Sequence, residues 1–161
     1  MQKKGSARDV IVIVVLFFVI AVGLFIVNYS SKQVIQGITS VPIVNDTPGI
    51  SEVFDNTQDA VNRADYLVFA FLIGLLISLV ITGYYIGGNK IFMVLYFIFI
   101  ILAVLVSMVL SNAWNNITTE LIFGTTINNF PISDHILSNF AIYTAGFGFV
   151  GLIAMFAKPP E

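Results

Sequence analysis

The side chains able to do chemistry in this chain are few, and their spacing suits almost no reaction. His135 is the only histidine and stands beside Asp134. One imidazole next to one carboxylate makes neither a metal site, which needs three or four ligands, nor a triad, which needs a nucleophile. It reads as a solvated residue at a helix start. Asp55 and Asp59 lie one helical turn apart, as a pair of carboxylates for acid–base work would. With Glu52 and Arg63 beside them, they read better as the solvated acidic face of a helix. Asp59 and Arg63 are four apart in the favourable order, worth about 0.2–0.5 kcal/mol as a pair. No cysteine is present, which excludes disulfides, thiolate metal sites and cysteine nucleophiles. No phosphate loop or nucleophile elbow occurs. Asn28, Asn45 and Asn116 open N-x-Ser/Thr triplets, which matter only in a eukaryotic secretory setting. The expectation is a non-enzyme with no metal and no cofactor.

What must position these residues is a set of helices in lipid. Stretches 10–31, 66–89, 91–119 and 136–157 carry no charge, and all sixteen charged residues fall outside them. A helix crosses the bilayer core with about 20 mostly apolar residues. In hydrocarbon the backbone must satisfy its own polar groups, so such runs become helices. The composition agrees: 58% hydrophobic and 10% charged, against about 25% charged in soluble proteins. The expected fold is all-α, an integral membrane four-helix bundle forming a single domain over 1–161. Its spans lie at about 10–29, 66–86, 91–113 and 136–157, with outer loops at 30–65 and 114–135. Inside the spans the polar side chains include Ser78, Thr82, Ser107, Asn139, Thr144 and a few tyrosines. Proton relays, ion paths and voltage sensors use charged groups there, and this chain offers none. No basic patch is large enough for nucleic acid.

Charge sorting sets the threading, because short cytoplasmic loops keep the cations. With four spans, Lys3, Lys4, Arg8, Lys90 and Lys158 share one face with Asp9 and Glu161, a sum of +3. Lys32 and Arg63 share the other with Asp46, Glu52, Asp55, Asp59, Asp65, Glu120 and Asp134, a sum of −5. The expected topology is N-in, C-in. Lys3, Lys4 and Arg8 ahead of an apolar run also suit a signal peptide, and Lys4-Gly5 a prepilin leader. Yet the run 10–27 exceeds a usual signal core, no small-x-small site follows, and three more spans come after, so it reads as a retained helix.

Small residues at four-residue spacing mark where helices can approach closely in lipid. Span two has Ala70, Gly74, Ser78 and Thr82; span three has Ala103, Ser107 and Ser111; span four has Ala141 and Ala145, then Thr144 and Gly148. These ridges are expected to face neighbouring helices, with spans two and three paired as a hairpin through Gly87-Gly88-Asn89-Lys90. Span one has only Ala21 and Gly23 as small residues and is expected at the edge of the bundle. In the first outer loop Thr47-Pro48-Gly49 marks a turn. Beyond it Ile50, Val53, Phe54, Thr57, Val61 and Ala64 recur at helical spacing, predicting an amphipathic helix over about 51–64. Glu52, Asp55, Asp59 and Trp114 are the candidate partner contacts, Trp114 as an interfacial anchor. Residues 118–130 suit a short hairpin or irregular cap. Phe130-Pro131 breaks the chain, and Ser133 is the expected N-cap of span four.

Ser111-Asn112-Ala113-Trp114 ending a span, with Phe130-Pro131-Ile132-Ser133 and Ile136-Leu137-Ser138-Asn139 opening the last one, resembles small multispan membrane proteins of tailless viruses or phages with an internal lipid membrane. The resemblance covers about 30 residues. It implies a structural protein of the virion membrane beneath a capsid shell, with no catalytic residues to carry over. The absence of cysteine argues against disulfide-stapled four-span families such as claudins, connexins and tetraspanins. The expected function is therefore a structural membrane subunit of a larger assembly, in the virion internal membrane or the host cytoplasmic membrane. Its expected partners are the lipid bilayer and other membrane or capsid subunits, in an oligomer or complex. The alternative is a small pore, holin or transporter subunit.

Overall fold

Helix dominates because long apolar runs are broken only by short polar joints. The computed structural model describes residues 9–42, 49–86, 90–120 and 123–157. Lys3, Lys4, Arg8, Thr47-Pro48, the Gly87-Gly88-Asn89 turn and Lys158 lie outside them. The helices are α1 (Asp9–Thr39), α2 (Ile50–Asn62), α3 (Ala64–Ile86), α4 (Lys90–Thr119), α5 (Gly124–Ile127), α6 (Pro131–Ser138) and α7 (Phe140–Phe156). No strand occurs among the described residues, and of the stretch expected as a hairpin or irregular cap, 118–120 and 123–130 form the end of α4, turns and the single turn α5. Three stretches, in α1, α2–α3 and α4, are long and apolar enough to cross a membrane, and α6 with α7 makes a fourth if the bent pair counts as one crossing. That is compatible with a multi-pass membrane protein.

α1 runs 31 residues, about ten beyond the expected span. No proline interrupts it, and Ser31, Val34, Ile35 and Ile38 continue the helical spacing. Thr39 Oγ1 donates back to Ile35 O at 2.9 Å and Ser40 Oγ to Gly37 O at 2.7 Å, so hydroxyls compete for the last carbonyls where the helix stops. α2 starts at Gly49, whose φ of 88° favours glycine. It ends at Arg63, one residue before α3, so the amphipathic helix leads into the second span with a one-residue break. The expected stripe makes contact in part, through Ile50, Phe54, Val61 and Ala64, while Val53 and Thr57 turn outward. Val53 is 62% exposed, while Phe54, Gln58, Val61 and Asn62 are half-buried. The docking on α1 is made by amides as well as apolar groups.

The helices pack in the spatial order α1, α4, α7, α3, with α1 also touching α3. α7 lies between α3 and α4 and makes the most extensive contacts with both. The expected α3–α4 hairpin pairing is therefore replaced by insertion of α7. Glycines on α3 and α7 explain the preference: a Cβ on Gly83 would lie 2.8 Å from Gly151 O. α1 buries one stripe, Val14, Phe17, Ala21, Phe25 and Asn28, chiefly against α4. Most of its remaining surface, including Leu16, Val19 and Ile26, points outward.

The expected fourth span is not one helix. α6 and α7 meet at 75° across Asn139, whose φ −110° and ψ 25° are not helical. Neither proline nor glycine stands there. Instead Asn139 Nδ2 donates to His135 O at 2.9 Å, and Ser111 Oγ of α4 donates to Ser138 O at 2.6 Å. Side chains inserted at the backbone carbonyls hold the bend. α7 alone is 17 residues, about 25 Å at 1.5 Å per residue.

Outward side chains along the long helices are apolar: Phe69, Ile73 and Ile77 on α3, Val94, Ile98 and Leu105 on α4, Ile142, Phe149 and Ile153 on α7. Continuous apolar surface on this scale is foreign to a monomer in water. In hydrocarbon it costs nothing.

Candidate functional site at the α6 end

Polar chemistry is concentrated where α6 crosses the ends of α3 and α4. Pro131 opens α6 at a position where a missing N–H costs nothing. The N-cap residue is Phe130, which has no side-chain oxygen, and Ser133 lies inside the helix rather than capping it. The cap comes from 67 residues upstream. Asp65, at the start of α3 and 3% exposed, accepts from Ile132 N at 2.9 Å and from Ser133 N at 2.7 Å. It also accepts from Ser133 Oγ at 2.5 Å. A carboxylate on the first N–H groups of a helix satisfies orphan donors and meets the positive end of the helix dipole. Asp65 was legible only as the last charge before an apolar run.

The far side of α6 is tied to α4. Trp114 is fully buried, not an interfacial anchor or a partner contact, and its indole N–H donates to Asp134 Oδ1 at 2.9 Å. Its ring meets Phe25 edge-on at 5.2 Å, and Phe25 also packs on Phe123 and Phe130. Aromatic groups from four segments thus close this end over Leu137 and Ile136. Nothing in the spacing of these aromatics revealed that they converge. His135 is exposed and lies edge-on to Tyr143.

α2 is held through amides. Asn28, fully buried on α1, donates from Nδ2 to Asn62 Oδ1 at 3.1 Å, and Gln58 Nε2 donates to the same oxygen at 3.1 Å. Glu52, Asp55 and Asp59 are exposed, as a solvated face requires. Asp59 and Arg63 form no ion pair, so the expected pair is absent.

Of the small-residue ridges, that of α4 is used within the chain, that of α7 only in part, and that of α3 turns away from it. Ala103 and Ser107 are fully buried. Ser107 Oγ donates to Ala103 O at 2.8 Å and shares a 2.7 Å hydrogen bond with Thr144 Oγ1 of α7. Ser107→Ala is expected to cost about 0.6–1.7 kcal/mol, the range for polar contacts between membrane helices, read as a lower melting temperature in detergent. Gly148 is buried, with no room for a Cβ beside Ile100 at 2.6 Å. Ala141 is half-buried, but Ala145 is exposed. Ala70, Gly74 and Ser78 are all exposed, so that ridge faces no helix of this chain, and the side chain of Thr82 lies outside the described ones. α3 packs instead through Asp65, Val68, Leu72, Leu79 and Gly83.

Among the described residues no group of three His, Asp or Glu side chains is placed to hold a metal ion. The arrangement ties helices together. Comparison with protein families, with curated proteins and with solved structures finds no match to this chain.

Proposed function

We propose that this chain is a structural subunit of a membrane-embedded assembly, threaded N-in, C-in as a four-helix bundle with the α6 end outside. The observation that carries the reading is the use of the interior polar groups. Asp65, Ser107, Ser111, Trp114, Asp134 and Thr144 bond to other parts of the same chain. A conducting path needs polar groups turned to a lumen. Here most are spent on holding helices, with Asn28 Oδ1, Gln58 Oε1 and Tyr96 Oη the buried side-chain atoms left without a partner among the described residues, and Trp114, Phe130 and Leu137 close the α6 end. What remains for the outside is apolar surface, an acidic face on α2 and one unused small ridge. The resemblance to internal-membrane proteins of tailless viruses supports a virion membrane as the setting, with the acidic α2 face towards a basic capsid subunit.

Purified protein in liposomes is expected to pass neither ions nor dyes. Specific flux would replace this reading with the pore, holin or transporter subunit. The ridge gives a second test. Ser78→Leu is expected to leave the melting temperature of the detergent-solubilised monomer unchanged, because Ser78 is exposed. The same change should reduce cross-linked oligomer several-fold in the membrane, because a leucine there blocks close helix approach. An undiminished oligomer would remove the ridge from the assembly contact.

A further inference from the structure

A cleft of about 470 Å³ opens beside the α2–α3 break, lined among others by Asp59, Asn62, Arg63, Tyr66, Asn128 and Asn129. We propose that this cleft seats the headgroup of a zwitterionic phospholipid carrying a primary ammonium, phosphatidylethanolamine in chemistry. The inference rests on the membrane reading above.

Position comes first. The uncharged run of the second span begins at Tyr66, directly after Arg63 and Asp65. At a hydrocarbon boundary tyrosine rings and arginines sit at headgroup level, and Tyr66 is 66% exposed. Charge comes second. Of the two carboxylates in the cleft, Asp65 is already committed to the first turn of α6. Asp59 and Arg63 remain, one helical turn apart, each exposed and neither with a side-chain partner among the described residues. An anion and a cation that ignore each other present a fixed pair of opposite charges. A phosphoethanolamine group carries the complementary pair: its phosphate meets the guanidinium, which suits phosphate geometry, and its ammonium meets the carboxylate. The amides of Asn128 and Asn129, also unpartnered among the described residues, supply neutral donors for phosphate or ester oxygens. A phosphatidylglycerol headgroup lacks the ammonium and would meet Asp59 unfavourably. A choline headgroup has no N–H to donate.

The test is native mass spectrometry of the full chain in detergent, titrated with phosphatidylethanolamine, phosphatidylcholine or phosphatidylglycerol. The expected order of retained lipid is ethanolamine over choline over glycerol. Arg63→Gln and Asp59→Asn should each cut ethanolamine-lipid retention at least fivefold, and Asp59→Asn should erase the preference over glycerol. Both side chains are exposed, so melting temperatures of the lipid-free proteins should stay unchanged. Equal retention of all three lipids by wild type, or retention unaltered in both variants, overturns the proposal. Displacement of the lipid by an equal concentration of free phosphoethanolamine overturns the lipid as the ligand. Flotation of the wild-type protein with liposomes reports separately on the membrane reading: protein that floats but shows no headgroup order refutes the cleft alone.

Discussion

Asp65→Ala is expected to lower the melting temperature in detergent by roughly 6–12 °C. The substitution strips the partners from Ile132 N, Ser133 N and Ser133 Oγ at once. Losing a helix cap alone costs about 0.5–2 kcal/mol, and a buried donor left unpaired costs about 1–3 kcal/mol. The two views describe one contact, so they do not add, and a loss of about 3 kcal/mol follows. For a chain of this size that is about 2–4 °C per kcal/mol. Asp65→Asn keeps one acceptor oxygen and is expected to lose about half as much. The single tryptophan reports the same event independently. Trp114 is buried and bonded to Asp134 of α6, so release of α6 should shift its emission to the red and open it to aqueous quenchers. An Asp65→Ala protein with wild-type melting and emission would show that α6 does not depend on α3 for its cap.

The second large effect separates two glycines on one helix. Gly83→Leu is expected to destabilise the protein by about 3 kcal/mol relative to Gly74→Leu. Both changes gain the same helix propensity, up to about 1 kcal/mol, so it cancels in the comparison. What differs is the space. A Cβ on Gly83 would lie 2.8 Å from Gly151 O and 3.4 Å from Ala154 Cβ, and a backbone oxygen inside a helix cannot swing aside. A Cβ on Gly74 meets nothing within 4 Å. Overpacking a tight contact costs about 1–3 kcal/mol, and leucine brings more than one methyl to a seam with no gap. Melting curves of the two variants, recorded in the same detergent, should differ by roughly 10 °C. Coincident curves would mean that α3 and α7 are not in close contact at Gly83.

Residues 66–86 and 91–119 were legible as helices because lipid compatibility is a local property: each run is apolar throughout and long enough by itself. The amphipathic helix before the second span was legible for the same reason, from its spacing and its turn at Gly49. What spacing hides is the partner. Four-residue repeats of small side chains occur in both α3 and α7. Only the placement of α7 between α3 and α4 determines that Gly83 meets Gly151 and Gly148 meets Ile100 while Gly74 faces outward. The bend at Asn139 was hidden likewise, since it depends on Ser111 reaching Ser138 O from another helix. Asp65 shows the limit most plainly. In sequence it is one of nine acids outside the apolar runs, and its value arises from meeting a helix 67 residues away. Trp114 carried the signal of an interfacial anchor, but its N–H found a carboxylate on α6 and its ring found Phe25.

Cysteine labelling tests the threading most directly, because the chain has no cysteine of its own. Glu52→Cys on α2, Asn128→Cys after α5 and Lys90→Cys at the start of α4 are each made singly and probed in sealed vesicles with a membrane-impermeant maleimide. The account predicts that Glu52→Cys and Asn128→Cys react from one side together. Lys90→Cys should react from that side only after the membrane is opened. Reaction of all three from the same side of an intact vesicle would contradict a chain that crosses the bilayer along α3 and α4.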